Sequence, residues 1–196
     1  ISILGPEAAA YTITRETKPR VGSGSNTTSP RNVYRTRDDK WIALSGSVQA
    51  MAERVFRLVG RADMIQDPRY KDNSSRVQHR DEVDAVVGAW VATQSRDEAM
   101  QAFAEAGVTA APVYDMDDLL VDPHVVGRGI FEELPDAELG WVQMHAPVPR
   151  LSATPAGYRL PAPRIGEHTS AVLRDFGFDA DSIAALHATQ VVGGQE

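Results

Sequence analysis

The chain has 196 residues, a formal net charge of −7, 42% hydrophobic and 24% charged residues, and no cysteine. The acidic balance argues against nucleic acid, whose phosphates need clustered Lys and Arg. The missing thiols exclude disulfides, Cys-ligated zinc, iron–sulfur clusters and thiolate nucleophiles. No apolar run approaches the ~18 residues of a membrane span, and the opening residues do not resemble a secretion signal. A cytoplasmic globular protein with its own core is expected, with no membrane partner. The chain begins at Ile1 inside an apolar run, and the expectation is that it is the later part of a longer protein.

Residues 1–17 are apolar and Ala-rich at the front and predict a helix ending near Lys18-Pro19-Arg20. The run 22–30, GSGSNTTSP, has no core-forming side chain and predicts a mobile loop. Residues 32–36 and 41–45 are β-prone and flank Arg37-Asp38-Asp39-Lys40, which predicts a hairpin. Ser47 is expected to cap the next helix. That helix carries Val48, Met51, Val55, Phe56 and Val59 on one face and is ended by Gly60. Residues 67–70, Asp-Pro-Arg-Tyr, predict an extended or turn segment. A second amphipathic helix carries Val83, Val86, Val87, Trp90 and Val91. Ser95 and Glu98 form a capping-box pattern, opening a helix that buries Met100 and Phe103 and stops at Gly107. A strand is expected over 108–114, then an acidic turn and a helix stopped by Pro123.

Beyond residue 130 the pattern changes. FEELP and GWVQMHAP flank an acidic turn and predict a second hairpin. Residues 151–166 are proline-rich and predict an extended connector. Two short helices close the chain, one with Val172, Leu173 and Phe176 ended by Gly177, the other starting near Asp179 with Ile183 and Leu186. Neither is long enough to be stable alone, so each needs a partner surface. Helices alternating with short hairpin strands predict an α+β fold.

Few motifs carry chemistry. Gly22-Ser23-Gly24 lacks the third glycine and the following helix of a dinucleotide fingerprint. His79, His124, His145, His168 and His187 fall in no metal-ligand spacing, so no metal is expected. There is no GxSxG elbow. Asp38-Asp39 and Asp117-Asp118 are explained as solvated acids at turns and helix starts. Asn26-Thr27-Thr28 and Asn73-Ser74-Ser75 match glycosylation sequons, chance matches without a leader. The Gly/Ser run fits a linker or an active-site flap, and composition alone favours the linker.

Several strings carry a resemblance. GSGSNTTSPRNVYRTRDDK (22–40), WIALSGS (41–47), DPRY (67–70), AGVTAAPVYDMDDLLVDPHVVGRG (106–129) and GEHTSAVL (166–173) occur in order along nearly the whole chain. Together they resemble the C-terminal half of class III (CaiB/BaiF) CoA-transferases, the formyl-CoA transferase and carnitine CoA-transferase family. The resemblance implies a small α+β domain and a helical return to an α/β Rossmann-like large domain. It also implies two subunits interlocked as a homodimer. The division it suggests is 1–30 helix and loop, 31–125 small domain, 126–165 hairpin and linker, 166–196 returning helices.

The implied activity is transfer of CoA from an acyl-CoA thioester to a carboxylic acid, through an aspartyl anhydride and an aspartyl-CoA thioester. CoA thioester is substrate, and no permanently bound cofactor is implied. No catalytic residue falls in this chain, because the family's nucleophilic aspartate is expected upstream of Ile1, in the N-terminal half that would be its partner. The family's glycine-rich active-site loop corresponds here to Ser23, Gly24, Ser25 and Asn26, which raises the flap reading above the linker. Arg31 and Tyr34, just after it, are candidate substrate-facing residues. Racemases acting on 2-methylacyl-CoA share the fold and carry a glutamate near the position of Val48, whose presence favours a transferase. A racemase, and a non-catalytic subunit, remain the alternatives.

Overall fold

The computed structural model describes residues 5–193. The chain divides into two compact units, Ile1–Asp115 and Met116–Glu196. The expected boundary at 125 therefore lies inside the second unit.

In the first unit the Ala-rich start forms α1 (Gly5–Thr14), which buries none of its residues. The first four residues of the expected helix lie outside the described range. Period-two alternation then builds the hairpin. Strand β1 (Arg31–Arg35) pairs antiparallel with β2 (Trp41–Ser45), Tyr34 opposite Ile42 and Arg31 opposite Ser45. Strand β3 (Ala110–Val113) pairs antiparallel with the other side of β2, giving the order β1-β2-β3.

Between β2 and β3 run α2 (Gln49–Leu58), a 3-10 turn (Ala62–Ile65), α3 (Asn73–Gln78), α4 (Arg80–Val91) and α5 (Arg96–Glu105). Of these, α2, α4 and α5 supply the core packed against one face of the sheet. Val83, Val87 and Val91, at i, i+4 and i+8 of α4, are all fully buried, as one stripe of a 3.6-residue helix requires. Val87 and Val91 pack with Tyr34, Ile42, Leu44, Val55 and Phe103 in the main core. Phe56, Met64, Tyr70 and Val83 make a second cluster beside it. Each fully buried side chain of this size contributes about 1.5–3 kcal/mol. Phe103 and Trp90 meet edge to face, centroids 5.4 Å apart. At the exit from β2, Gly46 donates its N–H to the Pro30 carbonyl at 2.9 Å, and a Cβ there would stand 2.9 Å from Pro30 Cγ. Only glycine allows that approach.

Pro112 sits in an edge strand without weakening the ladder. Ser45 N–H donates to the Thr109 carbonyl at 3.0 Å, so Ser45 and Thr109 are a hydrogen-bonded pair. By the alternation of antiparallel pairing, Ile42 and Pro112 are then a non-bonded pair. The Pro112 nitrogen thus points away from β2, where proline is tolerated.

Several local expectations need correction. Ser47 does not cap α2. The N-cap is Val48, with no side-chain hydrogen bond, and the Ser47 hydroxyl instead lies 3.2 Å from Ser45 Oγ. The helix starts one residue too late for Ser47 to reach its free N–H groups. Val48 is exposed rather than part of the apolar face. Met100 is only half-buried; Ala99 and Phe103 take the core positions of α5. The strand expected over 108–114 is trimmed to β3.

In the second unit Pro123 has two roles. It ends α6 (Met116–Val121) and opens α7 (Pro123–Gly127) at its first position, with Asp122 accepting from the His124 and Val125 N–H groups at 2.9 and 3.0 Å. A proline lacks only an N–H that the first helical turn leaves unused. The second hairpin is β4 (Phe131–Asp136) with β5 (Gly140–His145). An irregular segment follows, then α8 (Thr169–Asp175) and α9 (Ala180–Ala188), of which Ile183 is the one buried residue. No helix among the described residues is long and apolar enough to cross a membrane.

Candidate active-site loop

The Gly/Ser segment lies in the first unit. Its composition suits a linker, yet it is tied down along its length. Gly24 N–H closes a turn onto the Val21 carbonyl at 3.1 Å. A Cβ on Gly24 would meet that same carbonyl at 3.2 Å, so this glycine is held by space. Ser25 Oγ accepts from the N–H groups of Thr27 and Thr28 at 3.2 and 3.3 Å, and Asn26 Nδ2 donates to the Pro19 carbonyl at 2.9 Å.

Its near end is fixed by a relay of side chains. Ser23 Oγ donates to Asn32 Oδ1 at 2.6 Å, and Asn32 Nδ2 donates to Asp84 Oδ2 at 2.7 Å. The other Asp84 oxygen accepts from the Tyr34 hydroxyl at 2.7 Å. One carboxylate on α4 thus gathers β1 and, through Asn32, the loop. Tyr34 is buried in the core. Burial, and then the Asp84 charge beside it, push its phenol pKa well up, so the ring stays protonated and keeps donating.

The far end is clasped by α3. Asn73 Nδ2 donates to the Thr27 carbonyl at 2.8 Å, and Ser29 N–H donates to Asn73 Oδ1 at 3.3 Å. Arg76 is fully buried. Its Nε donates to the Ser29 carbonyl at 2.7 Å, while Nη1 reaches Gln49 Oε1 at 2.9 Å and the Tyr70 carbonyl at 3.0 Å. One guanidinium thereby ties together the loop, the start of α2 and the turn before α3. Burial lowers its pKa, and the nearby Asp72 and Glu53 charges act the other way. Its Nη2 and the buried Ser29 Oγ have no hydrogen-bond partner among the described residues.

Beside the loop a cleft of about 260 Å³ opens on the sheet. Ser23, Arg31, Ser45 and Thr109 bring polar groups to it, with Val33, Ala43 and Ala111 in the adjacent row across the strands. Of the predicted site residues, the structure brings Ser23 and Arg31 to this cleft. Gly24, Ser25 and Asn26 form the loop but do not line the cleft, and Tyr34 faces the core. Sequence reasoning missed Asn32, Asp84, Asn73, Arg76 and Thr109. Their partners lie far along the chain, so no local signal marks them. Among the described residues no group of three or more His, Asp or Glu could hold a metal ion.

The chain has counterparts among known proteins. A family model described as CoA-transferase family III matches residues 1–169. The chain belongs to CoA-transferase family III. It is 30% identical over 183 residues to the succinyl-CoA–D-citramalate CoA-transferase of Chloroflexus aurantiacus, covering 93% of this chain and 46% of that protein. It is also 30% identical over 191 residues to the succinyl-CoA–L-malate CoA-transferase alpha subunit of the same organism, covering 97% of this chain and 45% of that subunit. The chain thus spans about half the length of the curated relatives it matches. Its fold is shared by a crystal structure of a CAIB/BAIF family protein from Brucella suis, with a TM-score of 0.72 at 20% identity, over 89% of this chain and 44% of that one.

Proposed function

We propose that this chain is the C-terminal part of an enzyme that moves CoA from an acyl-CoA thioester to a carboxylic acid. The family match over residues 1–169, with two succinyl-CoA-using relatives at 30% identity, carries this reading. The nucleophile is an aspartate in polypeptide preceding Ile1. Its carboxylate attacks the donor thioester carbonyl, forming a mixed anhydride and releasing CoA thiolate. The thiolate attacks the aspartyl carbonyl, freeing the donor acid and leaving an aspartyl-CoA thioester. The acceptor carboxylate displaces the thiolate to give a second anhydride. The returning thiolate takes the acceptor's acyl carbon and frees the aspartate.

Both anhydrides are hydrolysed by any water that reaches them, so such a site needs a cover. We assign the segment Ser23, Gly24, Ser25 and Asn26 to that cover. Its ties at Asn32 and Asn73 set where it stands, and the lone Gly24 leaves little backbone freedom between them. The assembly is a homodimer of interlocked subunits in the cytoplasm, with a Rossmann-like domain supplied by the upstream half. CoA enters and leaves as substrate, and no resident cofactor takes part.

The test mixes the full-length protein with succinyl-CoA and a free acid and follows CoA between acids by mass spectrometry. Transfer without exchange of the α-proton is expected. Exchange of that proton with solvent and no transfer would make the enzyme a racemase instead. Acyl-enzyme trapping is expected to label no Asp or Glu of residues 1–196; a label on any of them overturns the assignment of the nucleophile.

A further inference from the structure

We propose that Arg31 binds the free carboxylate of a dicarboxylic substrate in the cleft beside the loop. This rests on the CoA-transferase reading and names the substrate class of that site.

The charge pattern points there first. Among the described residues Arg31 is the single charged side chain lining the cleft, the polar groups around it are hydroxyls and an amide, and no carboxylate lines it to compete for the cation. Between residues 31 and 115, Arg31 is also the one arginine whose side chain has no ion pair or hydrogen bond among the described residues, while Arg35, Arg37, Arg54, Arg57, Arg61, Arg69, Arg76, Arg80 and Arg96 all have partners. Its backbone is fixed opposite Ser45 at the head of β1, so the free guanidinium extends from a rigid strand. A planar fork of N–H donors matches a carboxylate with two parallel bonds.

Size and lining agree. Pockets for drug-sized ligands hold about 300–1,000 Å³, so a cleft of about 260 Å³ suits a short acid better than a nucleotide. Arg31, Ser45 and Thr109 stand in one row across the strands, and Val33, Ala43 and Ala111 in the next row of the same face offer short apolar side chains for a methylene spacer. Ser23 belongs both to the cleft and to the tied loop, so substrate capture and the cover share a residue.

The experiment compares Arg31→Gln and Arg31→Lys with wild type in the full-length enzyme. Acceptors are paired by length, succinate against butyrate and glutarate against pentanoate, with kcat/KM measured for each. The wild type is expected to prefer the diacids. Arg31→Gln should lower the diacid-to-monoacid ratio by roughly 10- to 100-fold, as loss of a charge-assisted bond implies, and Arg31→Lys should restore part of it. Arg31 is exposed, so thermal unfolding should be unchanged and a folding defect would be seen separately. A wild type that transfers CoA with no preference for diacids overturns the inference and leaves the transferase reading standing. So does an unchanged ratio in Arg31→Gln, including a KM for the thioester raised alike with every acid, which would mark a CoA-phosphate contact. Absence of all CoA transfer by the wild type removes both.

Discussion

Two buried side chains illustrate how single residues shape the candidate site. Tyr34 is a phenol shut from water beside a carboxylate, and its pKa is raised by burial first and by Asp84 next. In the unfolded chain it ionises near the usual value of about 10. Above that pH the unfolded state binds fewer protons than the native one, so this contribution is full below about pH 10 and fades as pH rises. Tyr34→Phe should flatten the alkaline fall in stability. At neutral pH it should cost about 1.5–3 kcal/mol in urea unfolding, because Asp84 loses a donor. Arg76→Ala removes three donor bonds from a charged group and leaves a cavity. The expected loss is about 3–5 kcal/mol, with faster amide exchange in residues 27–30. Neither role was legible in the sequence. Strand alternation says that Tyr34 and Arg31 point to opposite faces, not which face the helices cover. Asp84 stands 50 positions beyond Tyr34 in the chain. An arginine within NSSRVQ reads as an ordinary surface cation, and only the fold reveals that three segments converge on it.

Elements were readable where their signals are local. The capping box of α5 is contained in four residues, and both of its bonds form: Glu98 N–H donates to Ser95 Oγ at 3.3 Å and Ser95 N–H to Glu98 Oε2 at 2.7 Å. That second bond leads the causes that hold the Glu98 carboxyl below its ordinary pKa. A depressed pKa means the contribution is present at neutral pH and lost as pH falls through the folded value. Ser95→Ala should lower stability by about 1 kcal/mol at neutral pH. The Ser95 side chain is the next cause of the Glu98 depression, so the deficit of this variant relative to wild type should shrink in acid, measured by urea unfolding at a series of pH values. Ser47 shows the limit of such signals. It is the right residue type one position too early, and the start of α2 was decided by the chain's exit from β2. Pro123 was legible as a stop, but its second use needed Asp122 to be recognised as a cap. The loop had the composition of a linker because its anchors, Asn73 and Arg76, lie in another element.

At the scale of the whole molecule, the fold class was visible in the alternation of short strands and helices, while the long-range ties were not. Residues 147–166 carry no regular element and are mostly exposed. In this chain trypsin is expected to cut after Arg159 and Arg164 before any site within 31–115, read by intact mass over time. The placement of Pro112 reaches furthest. A neighbouring chain seeking to continue this sheet beyond β3 would look for outward amide hydrogens at Ala110 and Pro112 and meet one of the two. The missing amide weakens strand addition along that border without any bulky guard. A visiting molecule on that flank finds a broken backbone ladder and gains more by engaging side chains.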